Sequence, residues 1–322
     1  MCEKEAGGFG LRTFPYLCAP IKKSTLHPES QIGFPVCFSG LFEPIPMEIL
    51  LVFLTGLTAG LHTSTWGMYK DSPHEGFFWP RYFRSTIAAL IFAPIVWYFA
   101  KIDATTPSGV FLLWGATYLA ERLTMEVWKT FLREEDQSKF FIPMQLHIFG
   151  RVVESRRDRY IAAAFYIGAI VFIAWLLIKL WGMYQSGDLN WNPYVILLLL
   201  SIGGWISAFG GAWKDAPIEG FEWFKFFRSP AVAYFWAWVA ANLTDNFVVI
   251  TMCGIGFTVA TIETYKTFFF PSRPRGKFQG MPVHFPEMLQ RRQRFVPVFI
   301  LCWLFVIVAG VLAFTGEHAG LV

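Results

Sequence analysis

A block of charged and aromatic residues occurs twice in the chain and supplies side chains that could bind an anion. Its pattern is KDxPxEGFxW followed by FRS, and the second copy starts 144 residues after the first. Ser85 and the pair Ser229 and Pro230 are typical of helix N-caps, and the free N–H groups of a helix start favour an anion. A phosphate group or a lipid headgroup is the predicted ligand. The candidate anion-binding residues are Lys70, Arg84, Ser85, Lys214, Arg228 and Ser229.

A second recurring block adds carboxylates and imidazoles. Its copies, EVWKTF and ETYKTF, begin at Glu126 and Glu263, and a His follows each of them 21 residues later. Such groups can act as general acids and bases or bind a transition metal. The spacing contains neither HExxH nor two His residues four apart, so the sequence predicts no metal site and identifies no cofactor or catalytic residue. The supporting residues are Asp71, Glu75, Glu126, His147, Asp215, Glu219, Glu263 and His284.

A purely structural role for these charges is the competing interpretation. Arg84 and Arg228 could pair with the nearby Asp and Glu residues of their own blocks, which would fix the loops and bind nothing. Glu126 with Lys129, and Glu263 with Lys266, have the i, i+3 spacing of helix salt bridges. The sequence leaves both interpretations open.

Continuous apolar runs separate the charged blocks and predict membrane-spanning helices. The chain is 55% hydrophobic and only 16% charged, and a spanning helix needs about 20 mostly apolar residues. The first, fourth, fifth and eighth runs reach that length, whereas the other four are shorter and depend on polar flanks. The eight runs are Ile49–Tyr69, Thr86–Ala100, Gly109–Ala120, Tyr160–Trp181, Pro193–Trp213, Pro230–Leu243, Phe247–Ile262 and Phe295–Phe314.

The recurrences predict an all-α, polytopic integral membrane protein made of two tandem four-helix repeats. We place an irregular N-terminal extension at 1–46, the first repeat at 47–188 and the second at 189–322. Four helices per repeat is an even number, so both repeats should have the same orientation about a pseudo-two-fold axis along the membrane normal. Translation starting at Met47, directly before the first apolar run, is one hypothesis for the extension.

Both recurring blocks should lie on the same, cytoplasmic side of the membrane, with both termini on the opposite side. The four segments that contain the blocks carry 20 of the 27 Lys and Arg residues, as the positive-inside rule requires. Two Arg clusters precede the last helix of each repeat and should anchor it at anionic headgroups. These clusters are Arg156, Arg157 and Arg159, and Arg291, Arg292 and Arg294.

One pair of charges distinguishes the repeats. Glu121 and Arg122 lie in the third apolar segment, where the second repeat has Thr258 and Val259. Charges at membrane depth are costly and usually face a cavity or each other. The alternative is that the third helix ends early and leaves this pair at the interface.

Three functions fit these features. Related halves with basic residues at helix starts favour transport or flipping of an anionic, phosphate-bearing lipid or a small anion. The repeated acids and His beside Arg and Lys also suit a membrane enzyme that acts on a phosphorylated lipid. A non-catalytic subunit of a larger membrane complex, or a homo-oligomer, fits equally well. Anionic lipids are the expected partners, while a net charge of only +4 argues against nucleic acid.

Overall fold

The computed structural model describes residues 46–271, 276–316 and 320–322. The predicted N-terminal extension, and with it the hypothesis of a start at Met47, lies outside the described residues except for Pro46. Residues 45–322 form one compact unit. The boundary between two repeats at 188 and 189 therefore stays a sequence-based prediction.

Eight long helices account for most of this unit, which confirms the all-α prediction. Helix α5 bends at Ser201, and α8 starts with the turn Met288–Arg291 and the 3₁₀ turn Arg292–Phe295. The helices are α1 (Met47–Glu75), α2 (Trp79–Ala100), α3 (Pro107–Val127), α4 (Arg156–Gln185), α5 (Pro193–Glu219), α6 (Trp223–Ala241), α7 (Phe247–Phe268) and α8 (Met288–Ala313).

The connection between α3 and α4 is the most elaborate one among the described residues. Helix α3 continues as the π-helix Trp128–Leu132, and a small antiparallel hairpin follows, formed by β1 (His147–Ile148) and β2 (Arg151–Val152). The matching connection between α7 and α8 contains the 3₁₀ turn Gly276–Phe278.

Six of the eight helices, namely α1, α2, α4, α5, α7 and α8, are long and apolar enough to cross a membrane. Helices α3 and α6 have 21 and 19 residues but are not among them. Their polar content explains the difference, since α3 carries Glu121, Arg122 and Glu126 and α6 carries Lys225 and Arg228. Six such helices among the described residues are consistent with a multi-pass membrane protein.

The predicted N-caps at Ser85 and Ser229 are wrong. Helix α2 begins at Trp79 and α6 at Trp223, so both Ser residues lie well inside a helix. Gly76 and Gly220, at φ +76° and +84°, turn the chain immediately after α1 and α5. Only glycine adopts this conformation without strain, so a new helix can begin within three residues of the turn.

Lys70 and Lys214 also lie inside helices, beyond the ends of the predicted apolar runs Ile49–Tyr69 and Pro193–Trp213. Helix α1 continues to Glu75 and α5 to Glu219, although each contains a Pro near its end. Pro73 has no N–H and leaves the carbonyl of Tyr69 without its helical donor. Arg292 donates to that carbonyl instead, with 2.9 Å between Nη1 and O. A side chain from α8 therefore completes the end of α1.

Close glycine contacts join each first helix to its second. A Cβ on Gly60 would lie 2.5 Å from the Cα of Thr86, and a Cβ on Gly204 would lie 2.8 Å from the Cα of Pro230. The other near neighbours also correspond in sequence, with Ala89 beside Gly60 and Ala233 beside Gly204. Small residues let two helix backbones approach in this way.

The last helix of each predicted repeat packs against the other repeat. Helix α8 contacts α1 and α3, whereas α4 contacts α7 and the π-helix after α3. Helices α3 and α7 cross at the centre, where Gly115 lies against Phe257 and Gly256 lies against the Gly115 carbonyl. The main core surrounds this crossing and contains residues from both predicted repeats.

Candidate functional site

The charged blocks meet at one end of the helix bundle, which we call the motif end. It consists of the C-terminal ends of α1, α5 and α7 together with the segment that follows α3. Lys70 Nζ lies 3.6 Å from Glu263 Oε2, and His147 Nε2 lies 3.1 Å from the carbonyl oxygen of Lys214. Residues that are far apart in sequence are thus brought together, as expected if both recurring blocks lie on the same side of the membrane.

Most of the predicted carboxylates take part in ion pairs at the motif end. The predicted i, i+3 pairs are present, with Glu126 Oε2 2.9 Å from Lys129 Nζ and Glu263 Oε1 3.3 Å from Lys266 Nζ. The remaining pairs are Asp71 with Lys277 at 2.7 Å, Glu75 with Arg81 at 2.5 Å, Glu75 with Lys277 at 3.7 Å, and Glu219 with Lys225. These contacts support the structural interpretation for part of the motif.

Arg84 does not form the ion pair with its own block that the structural interpretation predicted. Its guanidinium lies over the Trp128 ring, 4.7 Å from the ring centroid. Within the described chain, no carboxylate lies within 4.0 Å of it and its Nε has no hydrogen-bond acceptor. Lys277 and Arg81 take the carboxylates that Arg84 was expected to bind.

The predicted imidazoles have structural surroundings. His147 is buried, and its Nδ1 and Nε2 lie 3.0 and 3.1 Å from the carbonyls of Gln145 and Lys214. His284 is exposed and takes part through its backbone N–H, which donates to the Pro73 carbonyl at 3.0 Å. Among the described residues, no three His, Cys, Asp or Glu side chains converge in a way that could hold a metal ion.

The Arg clusters lie in the first turns of α4 and α8 rather than before these helices, and they are only partly exposed. Arg159 and Arg292 are buried and bind backbone carbonyls, so the prediction that all members face lipid headgroups is wrong for these two. Arg156 lies at the surface and pairs with Glu134, and its hydrogen bonds hold the pKa of the Glu134 carboxyl below its usual range. Each buried Arg binds a carbonyl near a helix end, Phe131 for Arg159 and Tyr69 for Arg292, where the helix itself supplies no donor.

A cavity of about 470 Å³, which we call the basic cavity, opens between the ends of α1 and α7 and the start of α8. Lys70, Lys266 and Arg292 supply its charges. Apolar groups form much of the remaining wall, including Tyr69 and Leu289. Sequence reasoning identified Lys70 but missed Lys266 and Arg292 as members of one site.

A second cavity of about 180 Å³, which we call the mixed-charge cavity, lies between α5, α6 and α7. It brings together four of the predicted residues, Asp215, Arg228, Ser229 and Glu263. Glu222, Lys225 and Lys266 also line it. The Oδ1 atom of Asp215 is buried and accepts no hydrogen bond within the described part of the chain.

The first repeat contains an internal ion pair near the corresponding position. Arg122 donates from Nε and Nη2 to the two carboxylate oxygens of Glu121, at 2.6 and 2.8 Å. The Arg122 guanidinium lies 5.4 Å from the Trp66 ring centroid, and Glu121 is only 1% exposed. Of the two alternatives for this pair, the structure supports a buried pair whose members face each other.

Sequence reasoning missed a buried His in the middle of α1. His62 is 0% exposed, and its Nδ1 lies 3.1 Å from the hydroxyl of Tyr118, which also accepts a hydrogen bond from Trp66 Nε1 at 2.9 Å. The Phe299 ring of α8 stacks on the imidazole at 4.4 Å between centroids. The available signal was a single His within an otherwise apolar run.

No family model, curated protein or solved structure matches this chain.

Proposed function

We propose that this protein binds an anionic, phosphate-bearing lipid at the motif end and moves it across the membrane. The observation that carries this proposal is the basic cavity, whose described lining residues include Lys70, Lys266 and Arg292 but no carboxylate. The motif end is the cytoplasmic face in this proposal, as the distribution of Lys and Arg predicts.

The charge balance of the basic cavity favours an anion. Lys70 and Lys266 share one carboxylate, Glu263, at 3.6 and 3.3 Å. Arg292 binds the carbonyls of Tyr69 and Pro271, so neutral groups rather than a carboxylate accept its hydrogen bonds. Within 4.0 Å, these three cations therefore have one carboxylate partner among the described residues. A phosphate can accept charge-assisted hydrogen bonds from such groups, which are about twice as strong as neutral ones.

The apolar part of the cavity favours a lipid over a free anion. Phe270, Val283 and Leu289 line the same space as the three cations. Leu289 is 40% exposed and Val283 45% exposed, so an apolar surface continues to the outside of the bundle. A phospholipid combines a phosphate with chains that would cover such a surface.

In this proposal the two repeats are related halves, as in many transporters. Three features support this duplication. They are the recurring sequence blocks, the matching neighbours of Gly60 and Gly204, and the packing of α4 and α8 each against the other repeat.

In this proposal all eight long helices cross the membrane, and the halves have the same orientation about an axis along its normal. Helix α3 can carry Glu121 and Arg122 because these two side chains pair with each other inside the bundle. Glu126, Lys225 and Arg228 are only partly buried.

The decisive experiment measures lipid movement in sealed vesicles. The full chain is reconstituted in phosphatidylcholine vesicles that contain a trace of fluorescently labelled phosphatidylglycerol, and dithionite quenches the label in the outer leaflet. Leu289→Glu adds a negative charge to the cavity wall, and Leu289→Gln is its neutral control. We expect Leu289→Glu to slow phosphatidylglycerol movement at least about tenfold, equal to about 1.4 kcal/mol, and Leu289→Gln to retain it.

A second matched pair tests the cationic wall. Lys266→Gln removes one cation from the cavity while Lys70 still pairs with Glu263. Lys129→Gln changes the corresponding Lys of the first repeat, which pairs with Glu126 and does not line this cavity.

Equal movement of phosphatidylglycerol in Leu289→Glu and Leu289→Gln would contradict the proposal. Conversion of the headgroup, seen by mass spectrometry, would favour an enzyme, and neither movement nor conversion would favour a subunit of a complex.

A further inference from the structure

We infer that the mixed-charge cavity is a second binding site, for a small group that carries both an ammonium and an anion, such as phosphoethanolamine. Its volume of about 180 Å³ is below the roughly 300–1,000 Å³ typical of drug-sized ligands, which fits a headgroup rather than a whole lipid. This cavity shares Lys266 with the anionic-lipid site proposed above, but the inference does not require that site.

Asp215 supplies the attraction for the ammonium group. Its counterpart in the first repeat, Asp71, pairs with Lys277 at 2.7 Å. Lys139 is the counterpart of Lys277, but it pairs with Glu135 instead. Asp215 is therefore left with no ion pair within 4.0 Å among the described residues, whereas Asp71 has one. The buried Oδ1 atoms of both residues lack a donor, so the missing ion pair is what distinguishes Asp215. A buried carboxylate oxygen without a donor is costly, and an ammonium ligand would remove that cost.

The opposite charge in the same cavity comes from α6 and α7. Arg228 and Lys266 both line it, and the Ser229 hydroxyl adds a possible hydrogen-bond donor. An anionic group held by these side chains can receive charge-assisted hydrogen bonds. Because Asp215 lines the same small space, a ligand with both charges satisfies the two sides together.

The first repeat carries one acidic and one basic side chain at the positions that correspond to the lining of the mixed-charge cavity. Glu121 and Arg122 occupy the positions of Thr258 and Val259, which line the mixed-charge cavity. The ring of Trp66, which Arg122 covers, has Gly210 as its counterpart. The second repeat thus has smaller, uncharged residues where the first repeat has the charged side chains of Glu121 and Arg122. A ligand with an ammonium and an anion replaces that internal pair.

The test measures binding of two probes to the full chain in detergent. Titration calorimetry with O-phosphoethanolamine reports the free zwitterion, and native mass spectrometry with phosphatidylethanolamine reports the lipid headgroup. Asp215→Asn is the test variant, and Asp71→Asn is the matched control at the same motif position. We expect Asp215→Asn to weaken binding of whichever probe binds the wild type roughly tenfold, and Asp71→Asn to leave it within about twofold.

A closing variant provides an independent check if Asp215→Asn folds poorly. Thr258→Glu combined with Val259→Arg recreates the first repeat's pair, and we expect it to abolish binding of the probe. Leu289→Glu, in the basic cavity, should leave that binding unchanged, which separates this inference from the proposed function. Failure of the wild type to bind either probe, equal binding by Asp215→Asn and wild type, or loss of binding in Leu289→Glu would overturn the inference.

Discussion

The two copies of the FRS motif lie in different surroundings, although their sequences and the helix crossings beside them are alike. In the first repeat Arg84 lies over Trp128, and the neighbouring α3 carries the bidentate pair of Glu121 with Arg122. In the second repeat Arg228 and Ser229 line a cavity together with the smaller Thr258 and Val259. The two predicted repeats therefore have the same helix crossing, while one of them fills a space that the other leaves open.

The largest expected effect comes from breaking the pair that distinguishes the repeats. Arg122→Met leaves the buried Glu121 carboxylate uncompensated, so we expect a loss of about 3–5 kcal/mol in stability. Glu121→Thr combined with Arg122→Val copies the second repeat and removes both charges, and it should cost much less. Thermal unfolding in detergent, followed by near-UV circular dichroism, compares the two variants. A double variant as unstable as Arg122→Met would show that the pair is needed for more than mutual neutralisation.

The second prediction tests the crossing that both repeats share. A Cβ at Gly60 or Gly204 meets the opposing helix at 2.5–2.6 Å, so we expect Gly60→Ala and Gly204→Ala to destabilise the protein by about 1–3 kcal/mol each. Gly67→Ala and Gly211→Ala are matched controls, because a Cβ at either position meets nothing within 4 Å. A large effect at only one of the two crossings would mean that the repeats do not share this framework.

The smallest expected effect concerns the loop lysines. Lys277→Met removes the partner of Asp71 from a site where the Lys side chain is 14% exposed, and we expect a loss of about 1 kcal/mol. Lys139→Met changes the corresponding residue, which is 39% exposed and pairs with Glu135, and should cost about 0–0.5 kcal/mol. Unfolding midpoints of the two variants measure the difference. Equal midpoints would mean that the pair of Asp71 with Lys277 adds no more stability than the pair of Glu135 with Lys139. The ion pair would then not distinguish Asp71 from Asp215.

Local sequence signals predicted the parts of the fold that depend on neighbours along the chain. Long apolar runs predicted the helices, and the i, i+3 spacing predicted the pairs of Glu126 with Lys129 and Glu263 with Lys266. The N-caps at Ser85 and Ser229 failed, because Gly76 and Gly220 let α2 and α6 start at Trp79 and Trp223. Serine before an apolar run is a weak signal when aromatic residues can extend the helix toward its N-terminus.

The sequence by itself determined that the chain is helical and largely apolar, that two charged blocks recur, and that Glu121 and Arg122 occur in one copy only. These features need no knowledge of distant contacts, because composition and spacing express them directly. The tertiary structure alone decided that Lys277 pairs with Asp71, 206 residues away, and that α4 and α8 each pack against the other repeat. It also decided that Asp215, Arg228 and Lys266 line one cavity while Lys70, Lys266 and Arg292 line another. Helix packing fixes which side chains converge, and that information is not contained in the periodicity of any single helix.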